Sequence, residues 1–150
     1  MSDVQSCWDS PAGLGRYRDA SGSLHGMDCT DIVIGTARGG LGRVADYYTR
    51  DRSTPREDRE YFDDGGNDLV GSFAWEEDGK TTVRFIKKTQ AGPGDHPLSG
   101  ELHLIWAHGQ LDEFYKADQL KFHGTSNRGV TAISKFGFCF RFTGTSSMSQ

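Results

Sequence analysis

Apolar positions recur at every second residue in short blocks along this chain, and each block ends at glycine, proline or a charged cluster. Thr30 to Ala37 is a β-branched run suited to a strand buried on both faces. The Gly39-Gly40 pair follows, and Arg43 to Tyr48 completes a hairpin. Thr49 to Gly66 is charged and punctuated by Pro55, Gly65 and Gly66, which predicts a long surface loop. Leu69 to Glu76 alternates Leu69, Gly71, Phe73 and Trp75 against polar or small neighbours. A tight turn at Glu77-Asp78-Gly79-Lys80 then leads into the alternation of Thr81 to Ile86. Gln90 to Gly100 predicts a loop, and Leu102 to Ala107 and Gly129 to Ile133 two more strands. Only Leu111 to Gln119 has room for a helical turn.

Strands joined by turns, without a long helical period, predict an all-β antiparallel sandwich. Phe136, Phe138, Phe140 and Phe142 alternate with Lys135, Gly137, Cys139 and Arg141, a pattern for one amphipathic strand that covers a sheet edge. With 35% hydrophobic residues and 20 glycines, the core is expected to be modest and the loops many. A length of 150 residues fits one domain.

Charge and motif content exclude several classes. Acids and bases are interspersed around a net charge of −4 with no basic stripe, which argues against nucleic-acid binding. The longest wholly apolar run, Ile32-Val33-Ile34, is far too short for a membrane span, and no signal peptide is visible. Cys7, Cys29 and Cys139 are too scattered for a zinc site; a bridge between two of them and three free thiols both remain open. No nucleophile elbow, CxxC, HExxH or P-loop is present, so side-chain catalysis has no support. The acidic stretch Asp58, Glu60, Asp63, Asp64 and Asp68 lacks the fixed spacing of a calcium loop and predicts a solvated segment. Asp31 opens an apolar strand, where a carboxylate is costly unless paired.

Five blocks, in order, carry a resemblance. They are Gly26-Met27-Asp28-Cys29-Thr30-Asp31-Ile32-Val33-Ile34-Gly35, Asp46 to Pro55, Glu76 to Val83, Leu104 to Gln110, and Leu120 to Gly124 with Arg128-Gly129-Val130. Together they resemble the DOMON domain over residues 22 to 134, and most closely its Skeletor-type version. A looser similarity joins them to the amino-terminal domain of copper monooxygenases resembling dopamine hydroxylase. On this division residues 1 to 21 form a poorly structured N-terminal segment and residues 135 to 150 an amphipathic strand and tail. The resemblance implies an immunoglobulin-like sandwich with a ligand pocket at one end. Residues 1 to 26 show almost no apolar alternation, so the domain is expected to lack its opening strands.

The resemblance also assigns residues. Met27 stands where haem-binding DOMON domains carry a Met ligand, and His123 where they carry the His. A His/Met pair closes both axial positions of haem b, which suits one-electron transfer and not oxygen activation. His108 and, more weakly, His25 are rival ligands, while His96 and His103 have the character of surface positions. Arg128 falls on the family's last block, where it and Asp31 are expected to order each other's loops. The implied setting is an extracellular or membrane-associated parent in a matrix or cuticle context, with a redox partner, a matrix component or a sugar as ligand. Two alternatives stay open. One is a cofactor-free interaction or structural module, spindle-associated and nuclear, using Tyr47, Tyr48, Trp75 and Trp106. The other is an accessory domain of a copper monooxygenase-like protein, inactive alone.

Overall fold

The computed structural model describes residues 27, 30–49, 54–61, 67–90, 92, 95–96, 98–109, 120, 122–133 and 142–145. Strands β1 (Asp31–Arg38) and β2 (Leu41–Tyr48) form an antiparallel hairpin through the Gly39-Gly40 turn, with Asp31 opposite Tyr48 and Ile34 opposite Ala45. The short β3 (Arg56–Glu57) adds to the edge of β2. A second sheet holds β4 (Leu69–Glu77), β5 (Lys80–Lys87) and β8 (Phe142–Thr145) in the order β4-β5-β8. Between them in the chain, β6 (Leu102–Ala107) and β7 (Arg128–Ile133) make a separate antiparallel pair. All pairings are antiparallel, and the β1-β2 hairpin packs on β4 and β5, so the chain is an all-β sandwich.

The β4-β5 hairpin turns where the sequence places it. Asp78 and Gly79 both have positive φ, 51° and 67°, the pair that a two-residue turn needs to match the twist of its strands. Valine at Gly79 would meet the left-handed penalty with a branched side chain. Gly79→Val is expected to cost about 1–2 kcal/mol, read from the urea midpoint. An unchanged midpoint would mean that the turn does not need this conformation.

The two sheets approach closely because Gly42 lies against the backbone carbonyl of Ala74, where any Cβ would collide with that carbonyl. At the same end Glu76 N donates to Gly39 O at 2.8 Å, tying the first hairpin's turn to β4. What the sandwich buries is unusual. Among the described residues Ala45, Tyr47, Tyr48 and Ala74 are the buried apolar ones, and Asp46, Thr49, Asp58, Asp68, Thr82 and Asp95 are buried with them. Tyr47 and Tyr48, expected as exposed contact aromatics, are therefore core residues: β2 is covered on both faces at this end.

Within the expected Thr49–Gly66 loop, residues 54–61 carry regular structure. After Pro55 the chain pairs with β2 as β3 and then makes one helical turn, α1 (Asp58–Tyr61), with Asp58 and Glu60 in its first turn. Glu57 anchors it, bound by Arg43 from β2 and by Arg59 Nη2 at 2.6 Å. The solvated acidic stretch is corrected at two of its five positions, since Asp58 and Asp68 are buried. Asp63 and Asp64 lie outside the described residues, as do residues 1–26, the segment Leu111 to Gln119, and Phe136, Phe138 and Phe140. The strand observed at this end of the chain, β8, shares only Phe142 with the expected one; it pairs with Lys80–Val83 along the edge of β5.

Candidate functional site

One end of the sandwich is organised around a buried lysine. Register places Asp31, Val33, Asp46 and Tyr48 on one face of the β1-β2 hairpin, with the two carboxylates diagonal to each other. From the facing sheet, Lys87 at the end of β5 reaches between them. Its Nζ lies 2.6 Å from Asp31 Oδ1, 2.8 Å from Asp46 Oδ1 and 2.5 Å from Asp95 Oδ1. The contact to Asp95 is an ion pair without a well-directed hydrogen bond, since that oxygen has no hydrogen-bond partner among the described residues. Next along the chain, Lys88 turns the other way and binds Asp68 Oδ1 at 2.8 Å. Asp68 N donates to Asp46 Oδ2, Gly92 N to Asp68 Oδ2, and His96 N to Asp31 Oδ2.

Proton affinities follow from this crowding. Burial alone would lower the Lys87 pKa, but Asp31 first and then Asp46 and Asp95 overcome it and hold the ammonium well above its ordinary range. Burial pushes the Asp46 carboxyl up, against the pull of Lys87. Asp58 is raised to about 7 by burial and then by the charge of Asp46. Asp95 is raised to about 7 by burial and by its hydrogen bond to Asp68, whose own carboxyl is lowered chiefly by that bond and then by Lys88. One proton between Asp95 and Asp68 satisfies both shifts. Asp31 was legible as a carboxylate in need of a partner, and that partner among the described residues is Lys87. Arg128 stands exposed at the head of β7, opposite Ala107.

The residues assigned as iron ligands sit on different parts of the fold. Met27 lies in the turn before β1, 42% exposed, and its backbone carbonyl accepts a hydrogen bond from Thr49 Oγ1 at the end of β2. That hydroxyl also accepts from Thr30 N at 2.9 Å, so a buried threonine fixes the loop that carries the exposed Met27. His123 precedes β7 and is half-buried, its ring 4.7 Å from that of the exposed Phe122. His123 Nδ1 lies 2.7 Å from Gly124 O. A carbonyl can only accept, so Nδ1 carries a proton, and in the neutral ring Nε2 presents the lone pair. His108 stacks on Trp106 and is exposed. His96 is half-buried, not a surface position, whereas His103 is exposed beside Glu101. His25 lies outside the described residues.

The fold is an antiparallel β-sandwich with a buried acid–lysine cluster at one end. The chain matches the DOMON domain family model over residues 21–109, more than half its length, and belongs to that family. DOMON domains are ligand-binding modules for haem or sugars, generally non-catalytic, found in extracellular or membrane-associated proteins. Met27 falls within the matched span, and His123 lies beyond it. No curated protein and no solved structure matches the chain. No helix among the described residues is long and apolar enough to cross a membrane.

Proposed function

We propose that this DOMON module binds haem b through Met27 and His123 and serves one-electron transfer in a Skeletor-like, extracellular matrix setting. The observation that carries the reading is the His123 Nδ1 hydrogen bond to Gly124 O, which fixes the ring tautomer and leaves Nε2 free as a donor to iron. Met27 fits the second position by chemistry, being an exposed thioether on a loop held by Thr49. Bound haem would supply a one-electron iron couple, and a thioether favours its ferrous form. The chain's own part would be to orient His123 and present Met27 as the two protein donors to the iron.

Titration of the purified chain with haemin tests this, followed by absorbance over about 380–600 nm. Low-spin bands that sharpen on reduction are expected. Met27→Ala should turn the spectrum high-spin and lower the potential, and His123→Ala should abolish tight binding. Haemin that leaves no low-spin spectrum, or a spectrum indifferent to both substitutions, would sink the assignment; in the second case His108 or His25 becomes the ligand.

A second reading, binding of a sugar or matrix component without cofactor, is favoured by the outer face of β4-β5. There Phe73 and Trp75 stack at 4.6 Å, and Arg84 lies 5.5 Å over the Trp75 ring. Phe73 is 54% exposed and Ile86 65% exposed, so an aromatic platform faces outward.

A further inference from the structure

The β6-β7 pair stands apart from both sheets, hydrogen-bonded to no third strand among the described residues. Residues directly opposite in an antiparallel pair share a face, so its register separates two sets of side chains. Leu102, Leu104 and Trp106 lie on one face with Ile133 and Gly129. There Leu102, Leu104 and Ile133 are half-buried, and the Trp106 indole occupies the space that a Cβ at Gly129 would need. His103, Ile105 and Ala107 lie on the other face, opposite Ala132, Val130 and Arg128, and all of these are exposed. At its centre Ile105 and Val130 stand opposite each other, 49% and 68% exposed. Single exposed apolar residues are ordinary; a cross-strand pair flanked by two alanines is a contiguous apolar patch. The ends of this patch carry opposite charge. Arg128, beside Ala107, has no acid partner among the described residues. At the far end the Glu101 Oε1 lies 3.7 Å from His103 Nε2, which sets Glu101 on the same face, with its side chain 64% exposed.

We infer that this face of β6-β7 binds a second copy of the chain, forming a two-fold dimer in which Arg128 of each copy meets Glu101 of the other. A two-fold axis in the plane of the pair, running across its strands, brings the two faces together and reverses the strand direction. Glu101 and the Ala107 row are about 20 Å apart along the strand, so the axis midway between them is level with Leu104 and Thr131. Val130 of one copy then lies over Ala132 of the other, whose small side chain leaves room for it, and Ile105 lies over the His103 ring. Both charge pairs form at once, because an isologous contact repeats every interaction. Packing the same faces with strands running the same way would gather both arginines at one end and both glutamates at the other. The charges therefore select the antiparallel arrangement, which closes as a dimer. The surface uses neither Met27 nor His123, so it is independent of the haem reading.

Sedimentation velocity of the full chain over about 1–200 μM should show a concentration-dependent passage from monomer to dimer. Val130→Lys places an ammonium at the centre of the apolar patch and should weaken association at least ~10-fold. Arg128→Glu alone, or Glu101→Arg alone, opposes like charges at both ends and should weaken it by a similar factor. Combining Arg128→Glu with Glu101→Arg restores opposite charges, and the dimer should return. These positions are exposed, so the Tm of each variant is expected to stay with that of the wild type. Should Val130→Lys fail to fold, the charge exchange carries the test by itself. A chain that stays monomeric over the whole range overturns the inference. So does a dimer indifferent to every one of these substitutions, which would use another face. A double variant that remains as weak as the single ones overturns the pairing of Arg128 with Glu101, and with it this dimer.

Discussion

Lys87→Met is expected to destabilise the protein by on the order of 3–5 kcal/mol at neutral pH, the largest effect of any single substitution at this site. Methionine keeps the length and much of the apolar stem, so little packing is lost. What disappears is the only ammonium in contact with Asp31, Asp46 and Asp95 among the described residues, at 2.5–2.8 Å and with the lysine side chain only 7% exposed. Removing one member of a buried ionic cluster leaves the others desolvated and repelling, which costs more than the cluster contributed. The loss should shrink as pH falls, because carboxylates without their cation take up protons more readily. Lys88→Met is the control: Lys88 is exposed, its pairing with Asp68 is screened by solvent, and little change is expected. Urea midpoints at neutral and acidic pH decide the matter. A Lys87→Met midpoint equivalent to less than about 1 kcal/mol of loss would mean that the acids do not depend on this ammonium.

Local patterns carried the hairpins because their signals are local. The Asp78-Gly79 turn needs positive φ at two adjacent residues, and Asp-Gly is the pair that tolerates it; the β-branched run before Gly35 needs only its neighbours to form a strand. The acid–lysine centre has no such signal. Asp46 sits in Ala45-Asp46-Tyr47-Tyr48, an apolar strand in which a carboxylate stands out as Asp31 did, and that much was available in the sequence. Its partner lies 41 residues away on the opposite sheet, and nothing in the spacing of Lys87 separates it from its exposed neighbour Lys88. Asp58 and Asp68 read as solvated because charge runs usually are; here the α1 turn that carries Asp58 packs on β2, and Asp68 lies against Asp46 and Gly92, so both are buried. Met27 and His123 came from the family resemblance, not from periodicity, and the fold adds the features that residue type alone could not give. These are the Thr49 clamp on the Met27 loop and the tautomer set by Gly124 O.

Asp58→Asn should stabilise the protein at pH 8 by on the order of 2–4 kcal/mol and change it little near pH 4. Asp58 carries an ordinary pKa of 3.8 in the unfolded chain and about 7 in the folded one. A carboxyl with a raised folded pKa holds its proton longer in the native state. Its cost is therefore absent below pH ~4, grows as pH rises toward 7, and is constant above that. This is opposite in sign to Asp68, whose lowered carboxyl contributes stability above its unfolded pKa and loses it as the solution is acidified. Lys87 adds no slope in this window, because its titration lies far above it. Asparagine keeps the shape of aspartate, offers Oδ1 without charge, and removes the repulsion from Asp46 that burial intensifies. The effect is not additive with Asp95→Asn, since Asp95 and Asp68 hold a proton jointly while both acids sit in the field of Lys87. Denaturant curves at pH 5 and pH 8 give the decisive difference. A gap between variant and wild type that is the same at both pH values, or a variant less stable at pH 8, would show that Asp58 is not held as a strained, desolvated acid.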